Sequence, residues 1–191
     1  MKWYNLRKEV SSLSFKCGFC SNNVASDTGY LTADYHGYVK DTYPMIRICP
    51  HCKQPTYINE QGEQFPNAIF GHDIANIPQN IENIYNEARR CIQVNAFTAS
   101  VLLSRKLLMN IAVDMKAEEN KNFKYYVDYL DKNNFIPPNG KKWVDYIRKQ
   151  GNEATHEIIG KDEDSAKRLI KFIEMLLRVI YEFPSIIEDN Q

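Results

Sequence analysis

The sequence predicts a mainly α fold: a helical bundle over residues 78–191, preceded by a small β module over 1–60 and a connector over 61–77. Three observations predict it. Four of the five cysteines form two Cys-x-x-Cys pairs within the first 52 residues. The segments flanking those pairs are short and rich in β-formers. From Pro78 onward apolar residues recur at three and four, the helical period, and no segment there alternates as a strand would.

The bulk properties narrow the class. Of 191 residues, 43% are hydrophobic and 25% charged, a globular composition rather than a disordered one. No apolar run approaches the roughly 18 residues that a bilayer span needs. The start, Met1-Lys2-Trp3-Tyr4-Asn5-Leu6-Arg7, has neither an apolar core nor a small-residue cleavage site. The expectation is a soluble, cytoplasmic protein with no membrane partner. Lys plus Arg number 24, and so do Asp plus Glu. That balance excludes a uniformly basic nucleic-acid binder and leaves a local patch open. Residues 1–72 carry 7 basic and 6 acidic side chains and the remainder 17 and 18, so neither part names a partner by its charge.

In the β module, Ser12-Leu13-Ser14-Phe15-Lys16 leads into Cys17-Gly18-Phe19-Cys20. Met45-Ile46-Arg47-Ile48 leads into Cys49-Pro50-His51-Cys52, and Thr56-Tyr57-Ile58 leads away. A Cys-x-x-Cys turn aims two sulfurs at one point, and two such turns complete the tetrahedron of soft ligands that Zn²⁺ prefers, with no open position. The pattern predicts one structural zinc held by Cys17, Cys20, Cys49 and Cys52, in a zinc ribbon. His51, inside the second pair, either replaces a cysteine or supports the ligands from outside. Cys91 stands alone and reads as a small hydrophobe on a helix. The 28 residues between Cys20 and Cys49 call for a loop or an extra hairpin. They hold Tyr30, Tyr35, Tyr38 and Tyr43 among His36, Lys40 and nearby Arg47. Those rings either cover a very small core or stack nucleotides.

Gly62, Pro66 and Gly71 punctuate the connector, which Pro78 closes. Ile81, Ile84, Tyr85, Ala88 and Ile92 then form one helical stripe. Ala96 to Met115 is apolar nearly all round, the pattern of a central helix. Phe123, Tyr126, Val127 and Leu130 mark a shorter helix; Pro137-Pro138-Asn139-Gly140 breaks the chain; Trp143, Val144 and Ile147 begin another. The last stripe is Ala166, Leu169, Ile170, Ile173, Leu176, Leu177 and Ile180, with Asp162 and Asp164 suited to its N-terminus and Pro184 to its end.

One polar run carries candidate chemistry. In Arg148-Lys149-Gln150-Gly151-Asn152-Glu153-Ala154-Thr155-His156-Glu157, helical spacing puts Arg148, Asn152 and His156 on one face. A cation, an amide and a group titrating near neutrality can grip a phosphate and move a proton. The competing reading is structural: Asn152 and His156 bond backbone, or Arg105, and lock the bundle.

The stretch from Pro78 to about Pro184 resembles the bacterial domain-of-unknown-function family numbered 4145. Ile84-Tyr85-Asn86-Glu87-Ala88, Ala99-Ser100-Val101-Leu102-Leu103-Ser104-Arg105-Lys106-Leu107-Leu108 and Ile147 through His156 carry the likeness. Where the family usually has Leu-Glu, this chain has Leu108-Met109. The resemblance implies an HEPN-like helical bundle, of a kind found in toxins, antiphage defence and restriction systems. It also implies a dimer, and in active members a metal-independent endoribonuclease. Set against that pattern, His156 takes the catalytic place and Asn152 the polar one. Gly151 stands where the usual Arg would, and Arg148 lies one turn further back.

Three functions therefore stand as expectations. The first is a nucleic-acid- or protein-binding component of a defence-type system, with RNA or DNA or a protein as partner. The second is an endoribonuclease working through His156, Asn152 and Arg148. The third is a structural homodimerisation unit. The balanced charge and Gly151 favour binding over catalysis.

Overall fold

The computed structural model describes residues 7–33, 36, 38–137, 140, 142–147 and 160–188. The chain divides into two compact units, Met1–Ile69 and Phe70–Gln191. The segment 61–77, read as a connector, is shared between them.

The first unit corrects the fold class. It is not a small ribbon before a helix-dominated bundle but a curled five-stranded antiparallel sheet, in the order β1-β2-β3-β4-β5. β1 runs Arg7–Lys16, β2 Asn23–Ala33, β3 Val39–Ile48, β4 Pro55–Ile58 and β5 Gln64–Phe65. Helices and sheet thus divide the chain, and "mainly α" does not describe it. The spacer between the cysteine pairs is a hairpin rather than a loop, made of the two long strands β2 and β3. Its period-two signal is hidden because the buried positions of β2 include Ser26 and Gly29 beside Leu31. Ser26 reaches the Ile48 carbonyl at 2.7 Å, which satisfies its hydroxyl inside the sheet. At Gly29 any Cβ would run into the Ile46 carbonyl of β3, so glycine allows the close approach of the two backbones. Register shifts interrupt β1 between Lys8 and Leu13, and the β2–β3 ladder between Leu31 and Thr32. Such irregularities bend a sheet.

The apolar core of this unit is Leu31, Met45 and Ile58, with Val10 and Leu13 against it. Tyr38 is 73% exposed and does not cover it. Among the described residues, three buried apolar side chains besides the cysteines make a small core, so a cross-link between strands has much to contribute.

The second unit is helical. α1 spans Gln79–Gln93, α2 Phe97–Asp114, α3 Phe123–Lys132, α4 residues 142–147, α5 Glu163–Leu177 and α6 Phe183–Glu188. α2 is the central helix and packs against α1, α3 and α5. It buries Val101, Leu107, Leu108, Ile111 and Ala112. α5 buries Ala166, Leu169, Ile170, Ile173, Leu176 and Leu177 as its period requires, and Phe172 with them. Asp162 caps α5 by accepting from the Ser165 amide at 2.8 Å.

Pro184 does not end the last helix. A π turn, Arg178–Glu182, intervenes, and the Phe183 amide reaches back to the Arg178 carbonyl. The wider turn shifts the hydrogen-bond register, so Pro184 enters α6 near its start, where a missing N–H is tolerated. No helix among the described residues is long and apolar enough to cross a membrane.

Candidate metal centre

Two like turns build the centre. β1 ends at Lys16 and the chain reverses through Cys17–Asn22 into β2; β3 ends at Ile48 and reverses through Cys49–Gln54 into β4. In the first turn the Cys17 amide donates to the Asn22 carbonyl at 2.9 Å, and the Ser21 amide to the Cys17 carbonyl at 2.9 Å. In the second, the Cys49 amide donates to Gln54 and the Lys53 amide to Cys49, both at 3.0 Å. Ser21 (φ 58°) and Lys53 (φ 63°) occupy the same left-handed position, which closes each turn.

The turns place the four sulfurs together. Cys17 Sγ lies 3.7 Å from Cys52 Sγ, and Cys20 Sγ 3.8 Å from Cys49 Sγ. All four ligand atoms fall within 4.8 Å of one another. Four thiolates on a tetrahedral ion at about 2.3 Å would stand about 3.8 Å apart. The set therefore has the dimensions of a four-sulfur metal site and is too open for disulfides. Cys17 and Cys49 are fully buried, while Cys20 and Cys52 are half-buried at the rim. Backbone N–H groups supply the outer support: Phe19 donates to Cys17 Sγ at 3.4 Å and Cys52 to Cys49 Sγ at 3.5 Å.

The electrostatics ask for a cation. The Asn22 backbone N–H draws the Cys20 thiol down to about 6. Cys52 has the equivalent pull from the Gln54 backbone N–H, yet desolvation and the neighbouring sulfurs push it up to about 12. Four adjacent sulfurs cannot all ionise beside one another without positive charge between them, and a dication held there would supply it.

His51 is exposed and lies outside the cluster, so the second turn contributes two sulfurs and no imidazole. Cys91 is half-buried on α1, in the other unit, and is not one of the cluster. The four cysteines are the one group of potential metal ligands among the described residues.

Sequence reasoning missed the brace under the first turn. A Cβ at Gly18 would stand 2.5 Å from the Pro66 carbonyl oxygen and 2.6 Å from that of Asn67. Gln64 donates to the carbonyls of Lys16 and Pro66 at 2.9 and 3.0 Å, tying this same stretch to the end of β1. The signal was present: a glycine inside a knuckle marks a place where another backbone passes closely.

Arg148, Asn152 and His156 lie outside the described residues. Arg105, considered as their buried partner, places its guanidinium 4.6 Å from the Phe123 ring centre. Burial lowers its pKa from the ordinary arginine value.

Among curated proteins and among solved structures, nothing matches the chain. A family model does: Domain of unknown function (DUF4145) matches residues 86–188, which run from within α1 to the end of α6. The match covers more than half of the chain, and the chain belongs to that family.

Proposed function

We propose that this is a metal-stabilised binding protein rather than an enzyme. In this reading one structural zinc sits among Cys17, Cys20, Cys49 and Cys52, and the chain recruits a nucleic acid or a protein. The observation that carries it is the four-sulfur cluster within 4.8 Å. A tetrahedron of four protein thiolates leaves no position for a substrate or an activated water, which separates a structural metal from a catalytic one. Thiolates in this geometry favour zinc, or iron, over harder ions. The small core beside the cluster supports a metal that holds strands rather than one that does chemistry.

The testing experiment is purification of the full chain under reducing conditions, with metal and co-purifying macromolecules measured on the same sample. The expected result is one zinc per chain, no iron colour, and a bound nucleic acid or protein. Single-stranded RNA incubated in EDTA with the protein addresses catalysis. Cleavage that disappears in His156→Ala would establish the endoribonuclease instead, because general acid–base assistance is typically worth about 10²–10⁴ in rate.

A further inference from the structure

α4 and α5 enclose an open groove of about 460 Å³, lined by Lys142, Trp143, Tyr146, Arg168 and Lys171. Its floor is aromatic and anchored. Trp143 stacks on Phe172, ring centres 5.9 Å apart and 26° between planes, and Phe172 is buried in the core of its unit. Tyr146 meets Trp143 edge-on at 6.2 Å. The Arg168 guanidinium stands 5.9 Å from the Tyr146 ring centre. Trp143 and Tyr146 are each half-buried, so both rings keep area open to solvent.

The rim is cationic. Lys142, Arg168 and Lys171 are exposed and none forms an ion pair among the described residues, whereas their neighbour Lys167 is paired with Glu163 at 2.6 Å. Arg178, further along the same helical run, is paired with Glu174 and Glu182. Asp145 on α4 and Asp164 and Glu174 on α5 are nearby carboxylates in sequence; Glu174 is paired with His72 and Arg178, and none of the three lines the groove. In a chain of 24 basic and 24 acidic residues, three such cations around two open rings are a local departure from balance.

We propose that this groove binds single-stranded nucleic acid, its bases against Trp143 and Tyr146 and its phosphates against Lys142, Arg168 and Lys171. The proposal rests on the reading of the chain as a binding protein and names the partner and the surface. Exposed cations without ion-pair partners attract a polyanion, and an apolar protein surface laid over them would strand three charges without water. The rings select among polyanions. Every base has a π-face, and stacking on an aromatic side chain requires a base free of its duplex neighbours. The arginine beside Tyr146 adds a planar cation on which a base also stacks.

The test uses the full zinc-loaded chain and labelled 20-nucleotide mixed-sequence RNA and DNA, each single-stranded and as duplex, followed by fluorescence anisotropy at 50 and 200 mM salt. Single strands should bind more tightly than duplexes, and the RNA and DNA arms decide between the two sugars. Arg168→Ala with Lys171→Ala should weaken binding at least tenfold and flatten the salt dependence by about 1.4 logarithmic units per decade, near 0.7 for each phosphate no longer neutralised. Tyr146→Leu should weaken it about five- to a hundredfold with the salt slope unchanged, the signature of a missing stack. Lys167→Ala, outside the groove, should leave affinity as it is. All four substituted side chains have exposed or half-exposed positions, and circular dichroism checks their folding. Single-strand binding that the Arg168–Lys171 pair does not affect would overturn the groove and leave the binding function standing. Equal affinity for polyglutamate of matched charge would overturn nucleic acid as the partner, again without touching that function. Wild-type protein that binds no oligonucleotide at 50 mM salt overturns this proposal alone. The broader reading fails only if the chain also purifies from its host with neither nucleic acid nor protein attached.

Discussion

Cys17 Sγ and Cys52 Sγ meet at 3.7 Å although 35 residues separate them, which joins the turn after β1 to the turn before β4. Each sulfur thereby faces a thiol of the other turn, so an ion held here ties together both hairpins of the sheet. The core on the same sheet offers only Leu31, Met45 and Ile58 as buried anchors among the described residues. Cys52→Ser should therefore abolish stoichiometric metal and unfold the first unit while the helical signal of the second remains. Structural zinc in small domains is worth about 10–16 kcal/mol, more than such a core can replace. Elemental analysis with far-ultraviolet circular dichroism reads both results, and a fully folded, metal-free variant would contradict the structural role.

Gly29→Ala tests the close approach of β2 to β3. The added methyl group would meet the Ile46 carbonyl, a backbone atom that cannot rotate away. Forcing the strands apart should cost about 1–3 kcal/mol, in the range of overpacked cores. Faster metal release to a chromogenic chelator, with a lower melting temperature for the sheet, is the expected outcome.

How much of this was legible in sequence depends on what each residue type advertises. Cys17, Cys20, Cys49 and Cys52 could be grouped because two Cys-x-x-Cys pairs, each after a strand-like segment, have few other uses than holding a metal. The stripes of α1 and α5 were readable because apolar residues at three and four have one simple explanation. The segments beside the cysteines read as strands, but the full length of the strands did not. Ser26 and Gly29 fill buried positions without apolar side chains, so alternation in β2 does not register as hydrophobic alternation. β5 is two residues long and lies inside a stretch rich in turn-formers, below any period. Pro184 misled for a different reason: a π turn changes the register in which a proline is tolerated, and that depends on packing rather than on local composition. The groove beside Trp143 was half visible. Trp143 stood out as an apolar residue, but its companions Arg168 and Lys171 lie on another helix and meet it only through the fold.

Arg89 provides a test of the second unit that separates geometry from charge. Its side chain is 6% exposed and forks over the loop before α1. Nε donates to the Phe70 carbonyl at 2.9 Å, Nη2 to the Gly71 carbonyl at 3.0 Å, and Nη1 to Asp73 at 2.6 Å and Asn86 at 3.0 Å. A lysine retains the charge but cannot span two carbonyls and an amide oxygen at once. Arg89→Lys should thus lower stability by about 2 kcal/mol, because two half-buried carbonyls lose charged donors. Asp73, at 96% exposure, is the dispensable partner, and Asp73→Asn should shift stability by no more than about 0.5 kcal/mol. Thermal or urea denaturation of the two variants decides the matter, and equal losses would assign the interaction to the ion pair.

The cap of α5 predicts a pH dependence with a definite sign. Asp162 accepts a hydrogen bond from the Ser165 amide, and the Ser165 hydroxyl and amide beside it hold its carboxyl below the usual aspartate value. A carboxylate whose pKa is lower folded than unfolded stabilises the fold fully above its unfolded value, near 3.9. That contribution is lost as pH falls through the folded value, since protonation removes the acceptor the Ser165 amide needs. Melting temperature measured from pH 5 to pH 2 should therefore decline in the wild type. Part of the decline should be missing in Asp162→Asn, whose amide oxygen still caps the helix but does not titrate. Asp162→Ala should share that flatter profile and start from a lower melting temperature at pH 5, because it has lost the cap as well as the charge. The comparison of Asn with Ala thus isolates the hydrogen bond, and that of Asn with wild type isolates the ionisation. An Asp162→Asn profile that tracks the wild type throughout would place the acid sensitivity of the helical unit in some other carboxylate.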